Sequence, residues 1–222
     1  MASISSSGRS IQFVSEASCQ VNILHEILYY CWRSLRRPTI AICPTQKAEK
    51  YLGFDAAFAP GKLLFLQFKA YSYDSKQKAM TDYFELDSNQ HNLLHHNPQA
   101  SAFYVFPDYK THLELYLDKQ AEYFSRMRYQ ILNKTWFVDA RDIGVSILTI
   151  RRNQLATGVV PSLSWRDLFN RLASCSVGLR VTGKDMGFRL TDKQEEAVER
   201  IFASDETVGL FLGGNTSPKI PE

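Results

Sequence analysis

The fold prediction for this chain rests on Lys62-Leu-Leu-Phe-Leu-Gln-Phe-Lys69, a short apolar run that ends in a lysine. The turn signal Pro60-Gly61 precedes it, so we predict that the run is the second strand of a β-hairpin. Side chains two residues apart on a strand share a face. Gln67 and Lys69 therefore point the same way, while the residue before each of them packs on the other face.

A glutamine and a lysine on an otherwise apolar strand need polar partners, because burying an unpaired ammonium group costs free energy. Three partners are open: a carboxylate such as Asp55, a bound metal, or a substrate phosphate. Asp55 follows Gly53-Phe54, and we predict that it lies on the first strand of the same hairpin. The sequence thus predicts a carboxylate and the Lys69 ammonium group at neighbouring strand ends.

Upstream of Asp55, an amphipathic helix is predicted over about residues 15 to 35. Its apolar residues recur at helical spacing: Val21, Leu24, Ile27, Leu28, Cys31 and Leu35. Two carboxylates lie on this helix. Glu16 falls in the first turn, where a negative charge complements the helix dipole. Glu26 falls in the middle, and the alternative to a role in a site is a solvated helix carboxylate.

The order of a helix glutamate, a strand aspartate and Gln67-Phe68-Lys69 resembles the PD-(D/E)XK nuclease superfamily, in particular the Gln-x-Lys branch that includes Mrr-like restriction endonucleases. The resemblance covers roughly residues 15 to 140. It implies an α/β fold with a restriction-endonuclease-like core, in which helices flank a central mixed sheet. The chain departs from the family pattern in two ways, since no proline precedes Asp55 and Gln67 carries no negative charge.

The resemblance also implies roles for individual residues. Asp55, Gln67 and Glu26 would bind Mg²⁺ or Mn²⁺, and Lys69 would position the attacking water and stabilise the charged phosphate. Glu26 is preferred to Glu16 because it lies at about the distance upstream of Asp55 at which the family's helix glutamate is found. Oxygen ligands suit Mg²⁺, which lowers the pKa of the water that it binds.

The activity implied is hydrolysis of DNA phosphodiester bonds, in the context of prokaryotic restriction or antiphage defence. The alternative is a catalytically inactive sensor or adaptor that keeps the nuclease fold and binds nucleic acid or a protein partner from a defence operon. Family members often dimerise to cut both strands, so a homodimer is also open. DNA is preferred to RNA as the nucleic acid.

Basic residues cluster around the predicted site, although the net charge of the chain is only +3. Positive charge of this kind suits a phosphate backbone, and solvated surface charge is the alternative. Gln90 is also a candidate for the site, because it lies in the first turn of a short predicted helix capped by Asp87 or Ser88. The candidate nucleic-acid-binding residues are Arg36, Arg37, Lys47, Lys50, Lys76 and Gln90.

Further along the chain, periodicity predicts a buried central strand over 102 to 106, a helix over 111 to 127 and strands over 135 to 139 and 145 to 150. Tyr116, Tyr123 and Phe124 are predicted to lie mostly on the packing side of the helix over 111 to 127. We expect His91, His95 and His96 to be surface or capping residues rather than metal ligands.

Composition predicts a soluble domain able to bury a core, with 45% hydrophobic residues in 222. The domain organisation expected is a flexible tail over 1 to 10, a nuclease-like α/β domain over 11 to 150, a C-terminal helical and strand extension over 151 to 214 and a disordered tail over 215 to 222. Four unpaired cysteines, no secretory signal and no apolar span of membrane length favour a cytoplasmic location.

Overall fold

The computed structural model of the protein describes residues 13–35, 41–43, 56–58, 62–96, 101–125, 129–173 and 179–180. Several predicted features lie outside these residues: Asp55, Arg36, Arg37, Lys47, Lys50, both tails and the stretch from 181 to 214.

The helices are α1 (Glu16–Leu35), α2 (Ser88–His95), α3 (His112–Ser125), α4 (Gln130–Asn133), α5 (Arg152–Ala156) and α6 (Trp165–Ala173). The strands are β1 (Ala41–Ile42), β2 (Ala56–Phe58), β3 (Lys62–Phe68), β4 (Tyr71–Asp74), β5 (Ala79–Glu85), β6 (Ala102–Pro107), β7 (Thr135–Asp139), β8 (Thr149–Arg151) and β9 (Leu179–Arg180). The predicted α/β class is confirmed. None of the described helices is both long and apolar enough to cross a membrane.

The larger sheet is mixed, with the strand order β1-β2-β3-β6-β7 and β9 pairing with the beginning of β3. Strands β2 and β3 are antiparallel, as the hairpin prediction requires, and Ala56 lies opposite Leu66. Strand β6 runs parallel to β3 and antiparallel to β7. Every residue of β6 is buried, which confirms the predicted central strand. The carboxyl ends of β3 and β6 therefore meet at one edge of the sheet.

A smaller antiparallel sheet has the strand order β4-β5-β8. In the chain, β4 and β5 come between the parallel strands β3 and β6, and β8 comes after β7. The polar segment around Lys76 is the turn that joins β4 and β5, and Asp74 accepts hydrogen bonds from the Lys76 and Gln77 backbone N–H groups. The strand predicted over 145 to 150 begins only at Thr149, because the exposed residues before it form a turn.

Two hydrophobic clusters cover the two faces of the larger sheet. On one face, alternate residues of β3 and β6 pack against α1 and α6. On the other face, the intervening residues pack against α2 and the smaller sheet. Helix α6, in which Trp165 and Leu168 are buried, begins after Ser164, and the Ser164 hydroxyl accepts from the Asp167 N–H. Described residues beyond 150 thus belong to the same core as those before it.

The predicted packing side of α3 is wrong for its tyrosines, since Tyr116 is 56% exposed and Tyr123 is 86% exposed. The reason is that polar residues hold the inward face of this helix. Asp118 accepts from the Tyr109 hydroxyl and pairs with Lys134. Lys119 pairs with Glu26 of α1 and with Glu122 of its own helix, and Glu122 accepts from the Gln130 backbone N–H. Helix α3 therefore docks through charged groups as well as through the buried Leu115, and it leaves the Tyr116 and Tyr123 rings in solvent.

Candidate functional site

The most unusual polar group at the sheet edge is Lys69, which follows β3 directly and is only 9% exposed. Its backbone N–H donates to the Val105 carbonyl of β6 at 3.0 Å, so the position of the residue is fixed by the sheet. Its Nζ lies 3.4 Å from Gln90 Oε1 and 3.7 Å from Glu16 Oε2. The structure therefore brings together one ammonium group, one amide and one carboxylate from three separate elements.

Gln90 reaches Lys69 because helix α2 is fixed at both its start and its middle. The Asp87 side chain caps the helix by accepting from the backbone N–H groups of Asn89 and Gln90, both at 2.9 Å. This confirms the predicted cap. One residue further on, His91 turns into the core and anchors the helix against β6.

His91 is fully buried, so the expectation of a surface or capping histidine is wrong. Its Nδ1 lies 3.1 Å from the Tyr104 hydroxyl and its Nε2 lies 3.2 Å from the Gly144 carbonyl. A carbonyl only accepts hydrogen bonds, so Nε2 carries the proton and Nδ1 accepts from Tyr104. Burial lowers the pKa of His91, which keeps the ring in this neutral form. His95, by contrast, is half-buried beside the Ala140 carbonyl.

Gln67 is fully buried on β3 and lies opposite Tyr104 of β6 in the parallel register. Lys69 lies two residues further along the chain, the spacing at which side chains of a strand share a face. Asp55 lies outside the described residues. The residue that follows it in the chain, Ala56, pairs with Leu66, the residue before Gln67.

The helix carboxylate beside Lys69 is Glu16, whose side chain is 41% exposed, and not the preferred Glu26. Glu16 and Glu26 are ten residues apart on α1, which corresponds to about 15 Å along the helix axis. The first turn of α1 lies at the sheet edge because the Val14 N–H donates to the Lys110 carbonyl, just beyond β6. Sequence spacing alone did not reveal which end of α1 would reach this edge.

Glu26 is instead buried between α1, α3 and α4, with 3% of its surface exposed. Its two carboxylate oxygens accept from Lys119 Nζ at 2.5 Å and from the Leu132 backbone N–H at 2.9 Å. Lys119 also donates to Glu122, so two carboxylates share one ammonium group. Burial, together with hydrogen bonding to Glu122, raises the pKa of Glu26 to about 7, although Lys119 and the Leu132 N–H act to lower it.

This raised pKa predicts how stability depends on pH. Between the ordinary value of 4.5 and about 7, the folded protein holds a proton on Glu26 that the unfolded chain does not. The free energy of unfolding should therefore fall as pH rises through this window, by on the order of 1–3 kcal/mol, and level off above it. Urea unfolding from pH 5 to 8 measures this. Glu26→Gln should flatten the dependence, whereas the exposed control Glu85→Gln should not. An unchanged slope in Glu26→Gln would contradict the assignment.

A second polar cluster lies at the same sheet edge and was not anticipated from the sequence. Asp108, directly after β6, accepts from the Tyr71 hydroxyl at 2.6 Å and pairs with the Arg152 guanidinium at 2.6 Å. Burial raises the pKa of Asp108, but the hydrogen bonds from Arg152 and Tyr71 hold it below its ordinary value. The cluster ties the smaller sheet and α5 to the rim of the edge that carries Lys69.

The described ranges hold no group of three histidine, cysteine, aspartate or glutamate side chains able to bind a metal. Of the predicted nucleic-acid-binding residues, the described ones are Lys76, exposed in the β4–β5 turn, and Gln90 beside Lys69. Of the cysteines, Cys19 and Cys31 are buried, and Cys43 is exposed. Burial raises the pKa of the Cys19 and Cys31 thiols to about 12, so both are structural.

Comparison of the chain with protein-family models, with characterised proteins and with solved structures found no match.

Proposed function

We propose that this protein is a metal-dependent nuclease that hydrolyses DNA phosphodiester bonds, with Lys69 at the centre of its active site. The observation that carries the proposal is the environment of Lys69. Its ammonium group is nearly buried, yet its contacts in the described part of the chain are long: Glu16 Oε2 lies 3.7 Å away and Gln90 Oε1 lies 3.4 Å away. These contacts are long for charge-assisted hydrogen bonds, which leaves the ammonium group able to bind a phosphate oxygen at shorter range.

The sheet topology also supports a restriction-endonuclease-like core. The candidate residues come from an antiparallel pair, β2 and β3, followed by a strand, β6, that runs parallel to β3. Helix α1 covers one face of this unit. In open α/β sheets, ligands bind beyond the carboxyl ends of the strands. Lys69 lies at that end of β3, as the proposed chemistry requires.

The oxygen donors at this edge fit Mg²⁺ or Mn²⁺, since both ions bind carboxylate and amide oxygens. Glu16, Gln67 and, from the sequence, Asp55 are the residues proposed to hold the ion. Glu16 takes the role that the family resemblance implies for Glu26. When bound, the ion would lower the pKa of a water molecule and offset negative charge on the phosphate.

The protein's own groups would act as follows. The Lys69 ammonium group stabilises the negative charge that develops on the phosphate oxygens as the bond to the attacking oxygen forms. Gln90 holds that ammonium group in place, and the His91–Tyr104 hydrogen bond fixes the helix that carries Gln90. His91 and Tyr104 are buried and neutral, so they add no charge that would repel a phosphate.

The test is digestion of supercoiled plasmid and of single-stranded DNA by the purified full chain, with Mg²⁺, with Mn²⁺ and with EDTA. The expected result is cleavage that needs the metal and disappears in Asp55→Ala. A folded protein that cleaves neither substrate would instead favour the sensor or adaptor that binds nucleic acid or a partner protein. Restriction or antiphage defence is the biological context that we propose for either activity.

A further inference from the structure

A cavity of about 530 Å³ lies between α1, α3 and α4, away from the sheet edge that carries Lys69. Its size falls within the range of small-molecule sites. It is lined by Asn22, His25, Glu26, Tyr29, Lys119, Glu122, Tyr123 and Tyr129. Two carboxylates and three phenol rings therefore face one space.

Among the described residues that line this cavity, two carboxyl groups share one ammonium group. Lys119 donates to both Glu26 and Glu122, at 2.5 and 2.9 Å, so one positive charge is shared between two carboxyl groups. The other carboxylate oxygens accept from the backbone N–H groups of Leu132 and Gln130, which are neutral donors. With both carboxyl groups ionised, the cluster carries one net negative charge. A cation bound beside these carboxyl groups would offset that charge.

The aromatic walls add a second attraction for a cation. Tyr29 and Tyr129 lie 6.0 Å apart between ring centroids, so they form one wall of the cavity. Tyr123 extends from α3 with 86% of its surface exposed. Its ring therefore offers apolar area that a ligand in the cavity could cover. The face of a phenol ring attracts ammonium and guanidinium groups, and Arg33 already lies 5.9 Å from the centroid of the Tyr29 ring.

We propose that this cavity binds a small organic cation, with Glu26 and Glu122 as its anionic partners and Tyr29, Tyr123 and Tyr129 as its aromatic walls. The chemical class is an alkyl chain that carries an ammonium or guanidinium group. The ammonium or guanidinium group donates hydrogen bonds to the carboxylates, and the alkyl chain packs against the rings. The site is separate from the proposed nuclease site, so either function can fail without the other.

Proton release accompanies this binding, because the cation favours the ionised form of Glu26. With a pKa of about 7, Glu26 is about one-tenth ionised at pH 6 and about nine-tenths ionised at pH 8. A cation that binds only the ionised form should therefore bind about tenfold more tightly at pH 8 than at pH 6. The other titratable groups that surround Glu26 are His25, Tyr29, Tyr109, Lys119, Glu122, Tyr123 and Tyr129.

The experiment is a titration of the ¹⁵N-labelled full chain with butylammonium, followed by amide chemical shifts at pH 6 and pH 8. The Leu132 and Gln130 amides should shift saturably, because they donate to Glu26 and Glu122. Butyrate and 1-butanol, which have similar chains but no positive charge, should not produce these shifts. Tyr123→Ala should weaken binding about three- to tenfold. Tyr123 is exposed, so its loss leaves the fold intact.

Tyr116→Ala is the matched control, since Tyr116 is an exposed tyrosine of the same helix that does not line the cavity. It should bind butylammonium as the unchanged chain does. Equal shifts with 1-butanol, the absence of saturation, or the same dissociation constant in Tyr123→Ala and Tyr116→Ala would each overturn the proposal. Binding that is no tighter at pH 8 than at pH 6 would remove Glu26 from the site.

Discussion

Replacing Lys69 with methionine is expected to reduce metal-dependent DNA cleavage about 10²- to 10³-fold, the loss seen when one preorganised charge-stabilising group is removed. Methionine keeps the length of the side chain and suits the buried position. The carboxylate left behind, Glu16, is partly exposed and remains solvated. Initial rates of plasmid cleavage in Mg²⁺, measured beside urea unfolding, separate lost chemistry from lost structure.

The matched control is Lys134→Met. Lys134 also pairs with a carboxylate, Asp118, at 2.8 Å, but it lies after α4 and not at the Lys69 edge. Its cleavage rate should stay within about twofold of that of the unchanged chain, because loss of a surface ion pair costs at most about 1 kcal/mol. If Lys69→Met folds and cleaves at the normal rate, the proposed role of the ammonium group is wrong.

The second large effect distinguishes the two glutamates of α1. Glu16→Gln is expected to lower the cleavage rate about 10²-fold, because it removes the helix carboxylate next to Lys69 and with it a proposed metal ligand. Glu26→Gln should leave the rate nearly unchanged, since its carboxylate pairs with Lys119 between α1, α3 and α4, away from Lys69. The two variants make the same chemical change on the same helix.

Metal titration of both variants sharpens the comparison. Glu16→Gln should need a higher Mg²⁺ concentration for half-maximal cleavage, whereas the requirement of Glu26→Gln should match that of the unchanged chain. The opposite outcome, with activity lost in Glu26→Gln and kept in Glu16→Gln, would support the assignment drawn from the sequence alone and refute the one drawn from the geometry.

Local patterns were sufficient where the relevant contacts are local. The alternation along β3 predicted that Leu66 and Phe68 pack on one face, and the Asp87 cap followed from residue type and position. The apolar run of β6 predicted a buried strand. In each case, a few adjacent residues contain the whole physical reason.

Patterns failed where the deciding partner is distant in the chain. Glu16 and Glu26 both fit a helix carboxylate, and the choice depends on how α1 docks, through contacts such as that of Val14 with Lys110. His91 lies in a polar helix, yet it is buried because its ring forms hydrogen bonds with the Tyr104 hydroxyl and the Gly144 carbonyl. For α3, the expectation that its tyrosines pack inward failed. Lys119 points inward instead, because it pairs with the buried Glu26 of α1.

The position of β6 between β3 and β7 has a consequence for the order of assembly during synthesis. Strand β6 is wholly buried, and its second neighbour, Thr135–Asp139, is translated about thirty residues later, after helix α3. Until then, a nascent chain presents the open edge of an apolar strand, the kind of surface that promotes aggregation. Helix α3 is made in this interval, and its inner face carries Asp118, Lys119 and Glu122, so that face adds little apolar surface to the unfinished sheet.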